Sequence, residues 1–235
     1  MTTPQLPLGL RAPPDQRLEA FLGNDAARAA MHAAATGASP DWLYLAGPAG
    51  SGKSHLLLAA CAEAVSAGRR AAYLPMTAFA GRLAAGLAQQ ENADLLCLDG
   101  LEAIAGNAED EEALFHFHNR ARADAGVVVY AARGNPADIG LVLRDLQTRL
   151  GQCARINLAP LDEAGRRDLL RQRAARRGLE LDDTVLDYLL RRVDRDLASL
   201  TRLLDQLDRA SLAAQRRITI PFLRQQLGTS PDSPL

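Results

Sequence analysis

Lysine is nearly absent from this chain: a single residue, Lys53, stands against 26 arginines. Wherever a generic positive charge is wanted the sequence uses arginine, so position 53 needs what a planar guanidinium does not supply, a compact ammonium. Aromatic residues are also scarce at 4%, which argues against a sheet of stacking platforms for single-stranded bases. No apolar run approaches the ~18–20 residues that span a bilayer. Met1-Thr2-Thr3-Pro4-Gln5 lacks the charged and apolar regions of a signal peptide. The three cysteines, Cys61, Cys97 and Cys153, are far apart and set in apolar stretches; they read as reduced core thiols, not as a disulfide framework or a zinc site. Excess charge is missing too, at a formal −1, which removes bulk attraction to nucleic acid. Together these absences predict a cytoplasmic protein with no membrane partner. What is present, 235 residues of which 48% are hydrophobic, suffices for a full core in one or two domains.

Residues 1–15 are Pro-rich with one short apolar patch and read as a flexible leader. A helix is expected from about Asp15 or Asn24 to Ala35, ending near Gly37. Five short β-type runs then alternate with helical stretches: Trp42–Ala46, Ala71–Leu74, Leu95–Leu98, Val127–Ala131 and Arg155–Leu158. Continuous apolar strands in this alternation predict a five-stranded parallel sheet covered on both faces, an α/β domain over 16–160. After Pro160 the pattern is helical only. Asp162 caps a helix to about Arg177, with Gly178 placed to end it, and Asp182 opens a second carrying Val185, Leu186, Leu189 and Leu190. Asp194 opens a third with Leu197, Leu200, Leu204 and Leu207 at helical spacing, and Thr219 caps a fourth. Residues 161–228 thus form a C-terminal four-helix lid, and the Ser/Pro-rich 229–235 a disordered tail.

Gly47-Pro48-Ala49-Gly50-Ser51-Gly52-Lys53-Ser54 fits G-x-x-x-x-G-K-[ST] completely, and it lies between a strand and the helix that begins around His55. Glycines let successive backbone N–H groups point inward at phosphate oxygens, and the helix N-terminus adds its positive end. Lys53 would reach the β/γ-phosphates and Ser54 would hold Mg²⁺. The metal also calls for a carboxylate, and Leu95-Leu96-Cys97-Leu98-Asp99 offers one at a strand end. Residues 47–55 with Asp99 are therefore the expected site for ADP or ATP and Mg²⁺. ATPases of this class usually place a second acid directly after the first, to orient the attacking water. Here that position is Gly100, so the chain reads as holding nucleotide with weak intrinsic turnover.

Tyr73-Leu74-Pro75, Asp99-Gly100-Leu101-Glu102, Leu146-Gln147-Thr148-Arg149-Leu150 and Ala175-Arg176-Arg177-Gly178 carry a resemblance over nearly the whole chain. Asp205-Gln206-Leu207-Asp208-Arg209-Ala210-Ser211 and Ile218-Thr219-Ile220-Pro221 extend it through the lid. The sequence resembles the DnaA/Hda branch of the AAA+ P-loop proteins, the Hda-type regulators more closely than the initiators. Initiators continue past the lid into a DNA-binding domain, and the end of this sequence favours the regulator. The resemblance implies regulatory inactivation of DnaA: an inhibitor of DNA replication, tethered to the DNA-loaded sliding clamp, that stimulates hydrolysis of DnaA-bound ATP and prevents re-initiation. It further implies an ADP-bound, monomeric active form that meets DNA mainly through the clamp.

The resemblance also assigns roles. Arg149 falls where AAA+ modules place an arginine finger; as an isolated residue it reads better as a cation at a helix C-terminus, and only its place in the family pattern favours the finger. Arg195 matches the nucleotide-sensing arginine of the lid, with a surface pair to Asp194 or Asp196 as the alternative. After the fourth strand, where relatives keep a polar sensor, this sequence has Ala132-Arg133-Gly134-Asn135-Pro136, leaving Arg133 or Asn135 to stand in. The leader Gln5-Leu6-Pro7-Leu8-Gly9-Leu10 resembles the peptide by which replication proteins dock on the DNA polymerase III β sliding clamp. Gln5 would bond at the pocket edge while Leu6, Leu8 and Leu10 supply apolar contact. Phe21 and Leu22 are candidates to cover the base. The alternative function is an AAA+ ATPase of the helicase-loader or initiator type, against which Gly100 argues; a small-molecule P-loop kinase would need a basic lid inserted within the sheet. His116-x-His118 is discounted as a metal site, since residues two apart on a helix face different sides. The arginines of the first lid helix, Arg166, Arg167, Arg171, Arg173, Arg176 and Arg177, read as a solvated face.

Overall fold

A computed structural model describes residues 17–90, 92–122, 126–192, 220, 221 and 223. The chain divides into two compact units, Met1–Pro160 and Leu161–Leu235. The leader with Gln5, Leu6, Leu8 and Leu10, the lid position Arg195 and the third lid helix lie outside the described residues.

In the first unit a short 3-10 turn, Leu18–Ala20, precedes α1 (Asp25–Thr36). The expected helix start resolves to the second option, because the Asn24 side chain accepts from Ala27 N at 2.9 Å and so caps the first turn. The elements that follow are β1 (Leu43–Ala46), α2 (Lys53–Ser66), β2 (Ala71–Pro75), α3 (Leu83–Ala88), β3 (Leu95–Asp99), α4 (Ala108–Ala121), β4 (Val127–Ala132), α5 (Arg144–Gly151) and β5 (Ala154–Asn157). All pairings are parallel, in the order β2-β3-β4-β1-β5. Parallel strands need crossover connections, and here every connection between consecutive strands carries a helix.

Side-chain alternation divides the core into two. Leu43, Leu45, Leu95, Cys97, Val127 and Val129 join the buried faces of α1 and α2. Tyr44, Leu96, Leu98, Val128 and Tyr130 point the other way, against Leu83 and Leu87 of α3, Leu114 and Phe117 of α4, and Leu146 and Leu150 of α5. The expectation of continuous apolar strands covered on both faces holds for β1, β3 and β4 and not for β5. That strand is Ala154–Asn157, one residue earlier than predicted, and Ala154, Arg155 and Asn157 are exposed. As the edge strand it has a neighbour on one side only, and polar side chains there blunt the open edge.

His116 is exposed whereas His118 is buried, its Nδ1 2.9 Å from the Tyr130 hydroxyl. Burial, aided by the positive charges of Arg122 and Arg149, pushes its pKa down to about 4. A histidine held neutral in the fold and free to protonate near pH 6.5 when unfolded favours the folded state fully above pH 6.5. That contribution is lost as pH falls toward the folded value, and the loss amounts to about 2 kcal/mol by pH 5. Melting curves between pH 7 and pH 5 should therefore drop more steeply for the unaltered protein than for His118→Gln; parallel curves would dismiss this histidine as the source.

The second unit is described over α6 (Glu163–Arg176) and α7 (Asp183–Arg192). Asp162 caps α6 by accepting from Gly165 N at 2.7 Å, and Asp182 does the same for α7 from Val185 N at 2.8 Å. Leu170 and Leu186 pack together, and Val185 and Leu189 pack with Leu223. Arg167 pairs with Asp183 and Asp187, and Arg171 with Asp168 and Asp183. Two arginines of the α6 run are thus engaged by acids of their own unit. No helix among the described residues is long and apolar enough to cross a membrane.

Candidate functional site

The carboxyl ends of β1, β3 and β4 meet at one edge of the sheet, and two backbone bonds tie them. Gly47 N, at the end of β1, donates to Ala132 O at 3.2 Å, and Gly100 N, after β3, donates to Ala131 O at 2.9 Å. The phosphate loop and the acidic strand end are therefore both hung from the last residues of β4.

Gly47-Pro48-Ala49-Gly50-Ser51-Gly52 curls into α2, whose first ladder bond runs from Leu56 N to Gly52 O. The N–H groups of Lys53 and Ser54 precede that bond and lie outside the ladder, at the positive end of a 14-residue helix. Two of the glycines are sterically required. A Cβ on Gly47 would stand 2.4 Å from Leu158 O, and one on Gly52, itself at φ +92°, would stand 2.6 Å from the Phe21 ring. The cradle is thus shaped for backbone, not side chains, to face a ligand. Lys53 is only 8% exposed. Its Nζ donates to Gly47 O at 2.5 Å, Pro48 O at 2.9 Å and Ser51 Oγ at 3.4 Å. Burial lowers its pKa, opposed by the negative charges of Glu102 and Asp99. A tetrahedral ammonium satisfies three acceptors on one loop, which explains why the sole lysine sits here.

Ser54 and Asp99, far apart in sequence, are brought together: Ser54 Oγ donates to Asp99 Oδ2 at 2.5 Å. The same oxygen accepts from the Tyr73 hydroxyl at 2.7 Å. Burial, then this bond to Asp99, raises the Tyr73 pKa. Hydroxyl and carboxylate oxygens are the ligands a hard cation such as Mg²⁺ takes, so the residues present fit the ion that phosphate chemistry requires. Tyr73 is a site residue that the sequence reading does not single out. In the sequence it stands only among the residues that carry the family resemblance; the structure brings it to Asp99 because β2 and β3 pair, in register, Pro75 with Asp99.

Gly100 adopts φ +82°, ψ +53°, and a Cβ added to it would meet nothing within 4 Å. Space is available for an acid here; the left-handed backbone is what disfavours one. Glu102, two residues on, faces Arg133: its Oε2 accepts from Arg133 N at 3.2 Å and its Oε1 lies 3.0 Å from Arg133 Nε. Asn135, the other stand-in for the polar sensor, is turned to Asp138 (2.8 Å) and Arg155 (3.3 Å). His55 Nε2 is 3.1 Å from Arg17 O, and its ring is 5.8 Å from that of Phe21, which is buried against Gly52. Leu22 is half-buried beside it in sequence. Arg149 stands on the last turn of α5, exposed, and its guanidinium forms no hydrogen bond or ion pair among the described residues.

Comparison with known proteins agrees with this geometry. The family model for the bacterial DnaA ATPase domain matches residues 17–157, and that for the Hda lid domain matches 162–227. Among solved structures, domain III of the Thermotoga maritima replication initiation protein DnaA is 21% identical, with a TM-score of 0.76 over 92% of this chain and 97% of that one. AMPPCP-bound DnaA from Aquifex aeolicus is 24% identical, with a TM-score of 0.67 over 82% of this chain and 66% of that one. The Holliday junction branch migration motor RuvB of Thermotoga maritima shares the fold at 20% identity, with a TM-score of 0.66 over 91% and 71% of the two chains. With one model covering more than half of the sequence and the other its lid, the chain belongs to the Hda family of DnaA-related AAA+ proteins.

Proposed function

We propose that this protein binds ADP or ATP with Mg²⁺, docks through its leader on the DNA-loaded β sliding clamp, and stimulates hydrolysis of DnaA-bound ATP to prevent re-initiation. The observation that carries the reading is an asymmetry. The chain's own site has a left-handed glycine where a water-orienting acid would follow Asp99, whereas an exposed arginine with no hydrogen bond or ion pair among the described residues stands at the end of α5. Such a molecule holds nucleotide well and offers its best catalytic group outward. Residues 47–54 would hold the phosphates, Ser54 and Asp99 the metal, and Phe21 with His55 would flank the base; a DnaA bound to AMPPCP supports the choice of an adenine nucleotide. Mg²⁺ supplies charge neutralisation between the phosphates when bound. Arg149 would enter the partner's site in trans, where a guanidinium stabilises charge on the transferring phosphoryl group.

The test is to mix the protein with ATP-loaded DnaA and clamp-loaded DNA and follow ADP formation. ADP release should accelerate only with all components present. Converting Gln5 and Leu6 to Ala should abolish clamp binding and the stimulation while leaving ADP affinity unchanged. Equal stimulation without the clamp, or docking that survives removal of residues 1–12, would sink the reading of the leader. Rapid ATP turnover by the protein alone would favour the motor-type alternative.

A further inference from the structure

α4 opens with four consecutive acids, Glu109 to Glu112. Glu109 and Glu112 are exposed, but Asp110 is 2% and Glu111 0% exposed. Buried carboxylates are costly unless donors surround them, and here the donors are backbone N–H groups of two distant segments. Asp110 accepts from Gly81 N at 2.5 Å and Leu83 N at 3.0 Å, at the entry of α3. Glu111 accepts from Val142 N at 2.9 Å and Leu143 N at 2.7 Å, at the entry of α5, and also from Gly106 N at 2.7 Å, just ahead of α4. Both helices need this help. Arg82 and Leu143, at their capping positions, offer no side-chain acceptor. Two adjacent acids on one helix thus fix the starts of two others.

We propose that Glu111 is a positioning residue for Arg149. The carboxylate anchors the backbone where α5 begins, buried Leu146 and Leu150 set its rotation, and Arg149 follows Leu143 by roughly 9 Å of helical rise. The proposal rests on Arg149 acting as a finger. A finger works only when its guanidinium meets the phosphoryl group closely; a misplacement of about 1 Å can cost as much as 10²-fold in rate. Loosening the entry of α5 therefore lowers the maximal rate without altering what holds the partners together.

The test uses the full chain with ATP-loaded DnaA and clamp-loaded DNA. Glu111→Gln keeps the volume but turns one acceptor into a donor facing N–H groups. The maximal stimulated rate should fall on the order of 10-fold, with the half-saturating concentration and ADP affinity unchanged and amide exchange faster across residues 141–151. Leu143→Pro removes one of the N–H donors without touching the buried acid, at a φ of −83° that proline accepts; it should act in the same direction and serves if Glu111→Gln fails to fold. Asp110→Asn, equally buried but anchoring α3, should leave the maximal rate intact. Equal loss from Asp110→Asn and Glu111→Gln, or faster exchange in α5 with an unchanged rate, overturns the proposal. Normal stimulation by Arg149→Ala overturns the finger itself, and the proposal with it; a large loss there beside normal stimulation by both Glu111→Gln and Leu143→Pro overturns the proposal alone.

Discussion

Arg149→Ala should fold, bind ADP and dock on the clamp, yet the hydrolysis it elicits from DnaA should fall on the order of 10³-fold. The size follows from where the charge acts: on the transition state of phosphoryl transfer, with little part in ground-state association. Stability should hardly change, because the exposed guanidinium has no hydrogen bond or ion pair among the described residues to lose. Arg149→Lys should recover little, since an ammonium cannot span two phosphate oxygens as the planar fork does. The competing reading, a cation at the C-terminal end of α5, predicts a loss of at most ~1 kcal/mol in stability with stimulation intact. Melting temperature and stimulated hydrolysis, measured on one preparation of the variant, separate the two. Near-normal stimulation rules out the finger.

Lys53→Ala should weaken nucleotide binding on the order of 10²-fold, the worth of one buried charge-assisted contact. A titration with a fluorescent ADP analogue reads this directly. Lys53→Arg should do no better, because the acceptors that hold Nζ, Gly47 O, Pro48 O and Ser51 Oγ, converge on a point and a planar fork cannot fill that position. Stimulation of DnaA should fall with nucleotide occupancy in both variants. Unchanged ADP affinity in Lys53→Ala would remove the phosphate assignment.

The parts of this molecule that are legible in the sequence are those written locally. The eight residues 47–54 specify their loop by spacing alone, and Asn24, Asp162 and Asp182 announce their helix starts because a cap bonds three residues ahead. Asp99 can be found because an apolar strand ends on it. What stays hidden depends on register between distant segments. Tyr73 reaches Asp99 only because β2 and β3 pair Pro75 with Asp99. The orientation of Glu102 toward Arg133 is set by where the β4 loop lands, which sequence spacing does not state. Glu111 looks like one more solvated acid in a run of four; its burial follows from the approach of Val142 and Leu143, some 30 residues away. β5 misleads for the opposite reason: Ile156 and Leu158 suggest a buried strand, and only the strand order shows it to be an edge.

The last peptide of β4 works as a gauge. Ala131 and Ala132 point their carbonyls to opposite neighbours, one receiving Gly100 N and the other Gly47 N, so the backbones from which the acid and the phosphate loop leave β3 and β1 stand a fixed two strand spacings apart, ~9.5 Å. Both alanines are fully buried, and no side chain enters the setting. The separation cannot open or close as a ligand comes and goes without breaking the sheet. Adaptation to different ligands must therefore be taken up by side chains around this gauge: Ser54 at the start of α2, Tyr73 on β2 and Glu102 after β3.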